Sequence, residues 1–243
     1  MNKKILIGNW KMNPSNLIEA ISIASGIEGD IKISDKIDTA IAPPFTFISE
    51  VSNVISKVSL AAQNVFWEDE GAYTGEVSAK QLKSLGVKYV IIGHSERRSN
   101  GETDIEINKK IKLVIEKGLI PILCIGESKK VRDDGVEKVK NFIEEQIKKD
   151  TKNINVNELV IAYEPIWAIS SNDNARPATP DNIKEMIAFI KEITSESINV
   201  LYGGSVNPGN VKDFTSLNDL NGFLVGGASL RPKEFISIYK ELL

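Results

Sequence analysis

The chain has 243 residues, of which 42% are hydrophobic, so it is long enough for one large domain or two small ones with a sizeable core. Its 30 basic and 33 acidic residues give a formal net charge of −3, which excludes a general electrostatic attraction to nucleic acid or to anionic membranes. A single cysteine excludes an internal disulfide, and one cysteine with one histidine cannot form a zinc cluster.

The N-terminal apolar run covers only residues 5–7 before Gly8, which is shorter than the apolar core of a signal peptide. No stretch approaches the ~20 apolar residues that a membrane span needs. We therefore expect a cytoplasmic protein that has no membrane partner.

Eight short β-rich runs recur along the chain, at residues 4–8, 38–42, 58–62, 89–93, 120–126, 159–164, 198–203 and 222–226. The segments between them have apolar residues at helical spacing, as in 183–193, with charges on the opposite face. Ser78 is expected to cap a helix that ends before Gly86, and Asn207 before Pro208 is expected to cap another.

Strands that alternate with helices and are apolar on both faces predict a parallel sheet, and eight such units in about 250 residues favour an α/β fold of the closed (β/α)₈ TIM barrel type. The alternative is an open doubly wound sheet, but the first strand is followed by residues 9–12 (NWKM) instead of a glycine-rich dinucleotide motif. No linker or change in composition divides the chain, so we expect a single domain over residues 1–243.

Polar residues follow the predicted strands, where the active sites of such barrels lie. Asn9 and Lys11 follow the first strand, His94 follows the fourth, and Glu164 ends the sixth. A carboxylate removed from water at the mouth of an apolar strand is a candidate general base, and Lys11 supplies positive charge. Each residue also has an ordinary interpretation: a salt-bridge carboxylate, a structural histidine or a solvated lysine.

The loops after the seventh and eighth strands each contain two adjacent glycines. Gly203 and Gly204 precede Ser205, whereas Gly226 and Gly227 lie in the last loop. Paired glycines let main-chain N–H groups approach an anion, and these two loops are a common phosphate site in barrels. Cys124 lies within an apolar run and is predicted to be a core residue that takes no part in the chemistry.

Seven segments in chain order closely resemble the triosephosphate isomerase family: NWKMN (9–13), QN (63–64), GAYTGE (71–76), GHSERR (93–98), AYEPIWAI (162–169), YGGSV (202–206) and VGGASL (225–230). The resemblance spans the whole chain and falls at the expected strand ends. It implies interconversion of dihydroxyacetone phosphate and D-glyceraldehyde 3-phosphate without a cofactor or metal.

The resemblance also implies the roles of individual residues. Glu164 would carry the proton between C1 and C2, neutral His94 would polarise the carbonyl and serve the enediolate oxygens, and Lys11 with Asn9 would stabilise the negative charge. Ser170, Ser205, Gly226 and Gly227 would bind the phosphate, and Glu96 would be a further site residue. The family's homodimer would insert Thr74 into the neighbouring subunit beside Asn9 and His94.

The chain departs from the family's pattern in the lid segment. The family continues through a Gly-Thr-Gly-Lys tip, whereas residues 170–177 read SSNDNARP, three residues longer and without the tip glycines. Ser170 takes the position whose main-chain amide meets the phosphate. We expect a lid that closes less well to admit water, so that the enediolate loses phosphate and forms methylglyoxal.

Two alternatives remain open at this point. The altered lid is compatible with a catalytically weak paralogue that binds phosphorylated metabolites or a protein partner. A barrel lyase or epimerase acting on another sugar phosphate would need a Schiff-base lysine or metal-ligand carboxylates at the strand ends, and neither is evident in the sequence.

Overall fold

Eight parallel strands close into a barrel in the computed structural model, which describes residues 3–169 and 178–243. The strands are β1 Lys4–Asn9, β2 Ile37–Ala42, β3 Ser59–Ala62, β4 Val87–Ile92, β5 Ile120–Ile125, β6 Val160–Tyr163, β7 Asn199–Tyr202 and β8 Gly222–Val225. Each strand pairs with the next, and β8 pairs with β1 through residue pairs such as Ile7 and Leu224. The predicted (β/α)₈ barrel is thus confirmed, and the open sheet is wrong.

Helices surround the barrel on its outer side. Those in the described residues are α1 Leu17–Asp30, α2 Ile48–Ser52, α3 Ala79–Ser84, α4 Ser95–Ser99, α5 Asp104–Glu116, α6 Lys129–Asp133, α7 Val136–Asp150, α8 Pro180–Ile193, α9 Val211–Thr215 and α10 Pro232–Leu242. Their apolar faces turn toward the strands, as on α8, where Ile183, Met186 and Ile190 are buried. None of these helices is long and apolar enough to cross a membrane.

The alternation of side chains along each strand creates two separate apolar layers. Residues such as Ile7, Ile91 and Cys124 point into the barrel and fill it, whereas Leu6 and Ile92 point outward and pack under the helices. Because both faces of every strand are buried, the strands read as continuous apolar runs. The barrel is therefore a packed core whose open functional surface lies at the ends of the strands.

The two predicted helix caps have different outcomes. Ser78 caps α3 as expected, in a reciprocal arrangement with Gln81. Asn207 instead precedes a turn over residues 208–210, in which its side chain accepts the N–H of Gly209 at 2.8 Å, and the cap position of the next helix is taken by Asn210. The helix after β7 begins only at Val211. An asparagine before proline satisfies turn and cap patterns equally well, and here the turn forms.

Candidate active site

A cavity of about 250 Å³ opens at the carboxyl ends of the strands. It is lined by residues from five strand ends or the loops that follow them: Asn9, Lys11, His94, Glu164, Ile169, Gly203, Gly204, Ser205, Val206, Asn207, Leu224, Gly226, Gly227, Ala228 and Arg231. The seven sequence-predicted residues Asn9, Lys11, His94, Glu164, Ser205, Gly226 and Gly227 therefore meet in one place. Ser170 lies outside the described residues.

Lys11 adopts a left-handed backbone conformation, with φ of +55°. Residues other than glycine seldom adopt this backbone conformation, and they keep it only where the surrounding structure enforces it. The Oδ1 of Asn9 accepts the Lys11 main-chain N–H at 3.0 Å, and the Nε2 of Gln63 donates to the Lys11 carbonyl at 2.8 Å. The ammonium lies 2.6 Å from the Oε1 of Glu96. Asn9 and Gln63 thus hold the lysine at the cavity.

His94 occupies the N-cap position of the short helix α4, and 6% of its surface is exposed. Its Nδ1 accepts the main-chain N–H of Glu96 at 3.2 Å, while its Nε2 lies 3.5 Å from the Oε1 of Glu164. The two nitrogen atoms of the imidazole therefore have different environments. Nδ1 faces the helix, and Nε2 faces the cavity and the carboxylate.

Glu164 follows β6 and is 2% exposed. Its main-chain N–H donates to the carbonyl of Ile125 at 2.7 Å, which fixes the backbone at the barrel rim. Its Oε2 is buried and has no hydrogen-bond partner among the described residues. The carboxylate is therefore desolvated, lies near His94 and has one oxygen uncommitted.

Two glycines make room for Glu164. A Cβ at Gly126 would lie 1.8 Å from the Glu164 carbonyl oxygen, and a Cβ at Gly203 would lie 2.6 Å from its Cγ. Both distances are too short for real atoms. The sequence reading assigned Gly203 to phosphate approach, but in the structure its lack of a side chain is already required by the packing of Glu164.

The four glycines of the last two loops serve different purposes. A Cβ at Gly204 would lie 2.3 Å from the hydroxyl of Tyr202, so this glycine is also required by packing. Among the described residues, a Cβ at Gly227 would meet no atom within 4 Å, and one at Gly226 would make an ordinary 3.7 Å contact with Lys11. No contact within this part of the chain requires glycine at 226 or 227, so the bare backbone there is available to a ligand.

The two glycine-rich loops contribute main-chain N–H groups that have no acceptor among the described residues. Those of Ser205, Gly226 and Gly227 donate to no acceptor within residues 3–169 and 178–243. The Ser205 hydroxyl instead donates to the Ala168 carbonyl at 2.8 Å, which ties the loop after β7 to the segment after β6. Main-chain N–H groups that have no protein acceptor and line a cavity are suited to an anion.

Glu127 anchors the segment that follows Glu164. This carboxylate is fully buried and accepts the Tyr163 hydroxyl at 2.9 Å and the Trp167 Nε1–H at 2.7 Å. Burial, followed by the charge of Glu127, raises the pKa of the Tyr163 hydroxyl well above its ordinary value. Tyr163 therefore remains a neutral donor, and the chain is held in place up to Ile169, just before the predicted lid.

Cys124 is buried inside the barrel, as predicted. Burial, followed by the nearby carboxylate of Glu164, raises the pKa of its thiol well above the ordinary value. A thiol that resists ionisation is a poor nucleophile. Cys124 therefore acts as a packing residue beneath Glu164.

Thr74 is exposed and does not line the active-site cavity. A second cavity of about 280 Å³ adjoins the site and is lined by Asn9, Lys11, Met12, Pro44, Phe45, Gln63, Asn64, His94, Glu96 and Arg97. Met12 in this cavity is 93% exposed. Glu96 borders the second cavity and, within the described residues, contacts the lining of the first through Lys11 and His94.

Sequence reasoning missed Arg231 and Gly126. Arg231 lines the active-site cavity and forms a two-pronged ion pair with Glu234. A cation after the eighth strand, immediately before a helix that starts with Pro232, was a signal that could have found it. Gly126 had no comparable signal, because its role depends on the backbone of the neighbouring strand.

The fold and site define an α/β-barrel enzyme with a buried carboxylate and imidazole facing each other beside glycine-rich loops. A family model described as triosephosphate isomerase matches residues 4–242. Triosephosphate isomerases similar to the chain include those of Synechocystis sp. (44% identical, 98% of each chain covered), Dictyoglomus thermophilum (42%, 99% of this chain and 100% of the relative) and Endomicrobium trichonymphae (40%, 99% of each). The chain belongs to the triosephosphate isomerase family and is an aldose–ketose isomerase.

Proposed function

We propose that the chain interconverts dihydroxyacetone phosphate and D-glyceraldehyde 3-phosphate by proton transfer through an enediolate, as a homodimer in the cytoplasm. The observation that carries the proposal is the 3.5 Å approach of the Glu164 Oε1 to the His94 Nε2, in the cavity that Lys11 also lines. Family membership supports the substrate pair.

Glu164 is the general base in this proposal. The substrate carbons C1 and C2 are adjacent, so one carboxylate can remove a proton from one carbon and return it to the other. The buried, uncommitted Oε2 supports this role, because an oxygen already bound to a cation or an N–H group would be a weaker base.

His94 is the electrophile that polarises the carbonyl. An Nδ1 that accepts the Glu96 N–H carries no proton, so the proton of the neutral ring lies on Nε2, on the cavity side. From there Nε2–H donates to the substrate oxygen on which negative charge develops. Positioned donors of this kind stabilise the transition state more than the ground state.

Lys11 contributes positive charge and Asn9 orients it, and the N–H groups of Ser205, Gly226 and Gly227 bind the phosphate. Ser170 is proposed as a further phosphate contact on the family pattern alone. A phosphate held by these N–H groups, which have no acceptor among the described residues, would fix the substrate carbons relative to Glu164.

The second cavity and the loop that carries Thr74 support the proposed homodimer. The exposed Met12 and half-exposed Phe45 flank a groove next to Lys11, and the loop presents an exposed Tyr73 beside Thr74. Insertion of this loop into the partner's groove would cover apolar surface on both subunits. It would also place Thr74 beside the catalytic residues.

The test is steady-state turnover of glyceraldehyde 3-phosphate by the purified protein, coupled to reduction of the dihydroxyacetone phosphate formed. Glu164→Gln keeps the size of the side chain, removes the base and serves as the control for contaminating isomerase. We expect a loss of kcat on the order of 10²- to 10⁴-fold in this variant. Negligible turnover by the folded wild type, with retained binding of a triose phosphate, would support the binding-paralogue alternative.

A further inference from the structure

The guanidinium of Arg98 joins four groups behind the active site. Its Nε donates to the Gly93 carbonyl at 2.8 Å, and its Nη2 donates to the Cys124 carbonyl at 3.2 Å. Its Nη1 lies 2.8 Å from Asp104, and its Nη2 lies 2.5 Å from the Oδ2 of Asp150. One side chain thus connects the end of β4, strand β5 and the helices α5 and α7.

Helix α4, which carries Arg98, has few other anchors. It has five residues, and none of them is buried, so apolar packing does not fix its orientation. Its geometry nevertheless determines the position of His94, because the Glu96 N–H binds Nδ1 and the Arg97 and Arg98 N–H groups bind the His94 carbonyl. A shift of α4 would therefore move the imidazole.

Gly93 allows the arginine to approach the strand end. Its φ is +70°, and a Cβ at this position would lie 2.9 Å from the Arg98 Nη2. Glycine is therefore favoured at position 93 for two reasons: its backbone conformation, and the space that the guanidinium occupies.

Asp150 is the buried counter-ion of this arginine. It is the last residue of α7, it is fully buried, and its Oδ1 has no hydrogen-bond partner in the described residues. Its main-chain carbonyl accepts a hydrogen bond from the Asn108 side chain at 2.9 Å. Among the described residues, the cation that pairs with its carboxylate is Arg98. A buried charge of this kind holds its partner in one direction.

We propose that Arg98 is a positioning residue for His94, with Asp150 as its buried counter-ion. The Arg98 side chain fixes α4 to the ends of β4 and β5, so that the Glu96 N–H points at Nδ1 and the His94 Nε2 points at the cavity. The expected effect of Arg98 on kcat rests on the proposed role of His94. Its expected effect on the position of the imidazole does not.

The test exploits the single histidine of this chain. Protein labelled with ¹⁵N-histidine and purified through a tag without histidine gives imidazole nitrogen signals from His94 alone. Spectra are recorded at pH 8, where the carboxylate of Asp150 is ionised, for the wild type and for Arg98→Lys. Lysine retains the charge but cannot reach the carbonyls and both carboxylates together.

In Arg98→Lys we expect the Nδ1 and Nε2 signals to shift or to split into two tautomers, kcat to fall at least tenfold and KM to change less than threefold. Asp38→Asn is the matched control. It removes a carboxylate that binds Lys88 and Tyr89 at the opposite ends of the strands. It is expected to lower stability while the His94 signals stay unchanged.

Asp150→Asn keeps the proposal falsifiable if Arg98→Lys does not fold. It is expected to shift the same His94 signals in the same direction and to lower kcat several-fold. Unchanged signals and unchanged kcat in either folded variant would overturn the proposal. If the wild type lacks isomerase activity, the proposed function fails, and the ¹⁵N spectra still decide whether Arg98 positions His94.

Discussion

Replacement of Gly203 by alanine tests whether the Glu164 carboxylate must lie where it does. The added Cβ would lie 2.6 Å from the Glu164 Cγ and 3.1 Å from its Oε1. Non-bonded carbon atoms pack at about 3.5–4.0 Å, so one group must move by roughly 1 Å. The Gly203 N–H donates to the Tyr163 carbonyl at 2.9 Å and resists displacement, so we expect the carboxylate to move away from His94.

A misplacement of about 1 Å at a reacting group costs on the order of 10²-fold in rate, or about 2.7 kcal/mol of activation free energy. We therefore expect Gly203→Ala to lower kcat about 10²-fold. KM should change much less, because the N–H groups at Gly226 and Gly227 are untouched. The assay is the coupled turnover measurement, together with thermal unfolding followed by circular dichroism.

Gly29→Ala is the matched control, because a Cβ at this position in α1 meets no atom of the described residues within 4 Å. It should leave kcat unchanged and raise stability by roughly 0.5–1 kcal/mol, the usual gain when alanine replaces glycine in a helix. A folded Gly203→Ala protein with kcat within twofold of the wild type would refute the reasoning, since the carboxylate would then tolerate the displacement.

Lys11→Met should lower kcat/KM by at least 10²-fold and weaken inhibition by inorganic phosphate, since the cavity loses a cation; unchanged inhibition would place the anion elsewhere. The sequence of residues 170–177 predicts measurable methylglyoxal during turnover, and a product analysis that finds none contradicts the expected leakage. Burial raises the pKa of Asp150 from 3.8 to about 7, against the opposing effect of Arg98, so the folded state retains a proton that the unfolded state releases and the free energy of unfolding falls as pH rises between these values. This fall, at most about 4 kcal/mol, should be absent in Asp150→Asn, and urea titrations that give equal slopes for both proteins from pH 4 to 7 would contradict the assignment.

The barrel and the residues at its rim could be predicted because each depends on local sequence. An apolar run such as Ile120–Ile125 is typical of a strand with both faces buried. The residue after such a run lies at the carboxyl end of the barrel, where active sites are found. Asn9, His94 and Glu164 were found by this rule alone. The family resemblance then supplied their expected roles, which neither periodicity nor spacing contains.

The supporting interactions could not be predicted, because they join residues far apart in the chain. Arg98 and Asp150 are separated by 52 positions, and Gln63 reaches the Lys11 carbonyl across the same number. A charged residue at the end of an amphipathic helix, such as Asp150, has the pattern of a solvated residue. Only the closed barrel brings it behind the active site.

The three acidic residues that are buried in the described part of the chain differ in how far their partners compensate the free-energy cost of burial. Glu127 accepts hydrogen bonds from Tyr163 and Trp167, and Asp150 pairs with Arg98, which offsets part of the cost of its burial. Glu164 is 2% exposed, has no lysine or arginine of the described residues within 4.0 Å, and leaves one oxygen without a partner. A buried carboxylate oxygen that makes no hydrogen bond lowers the free energy of unfolding, so Glu164→Gln should raise this free energy while it lowers kcat by about 10²- to 10⁴-fold. The opposite change, a loss of stability in that variant, would indicate that Glu164 serves the fold, and its role as the base would then have to be reconsidered.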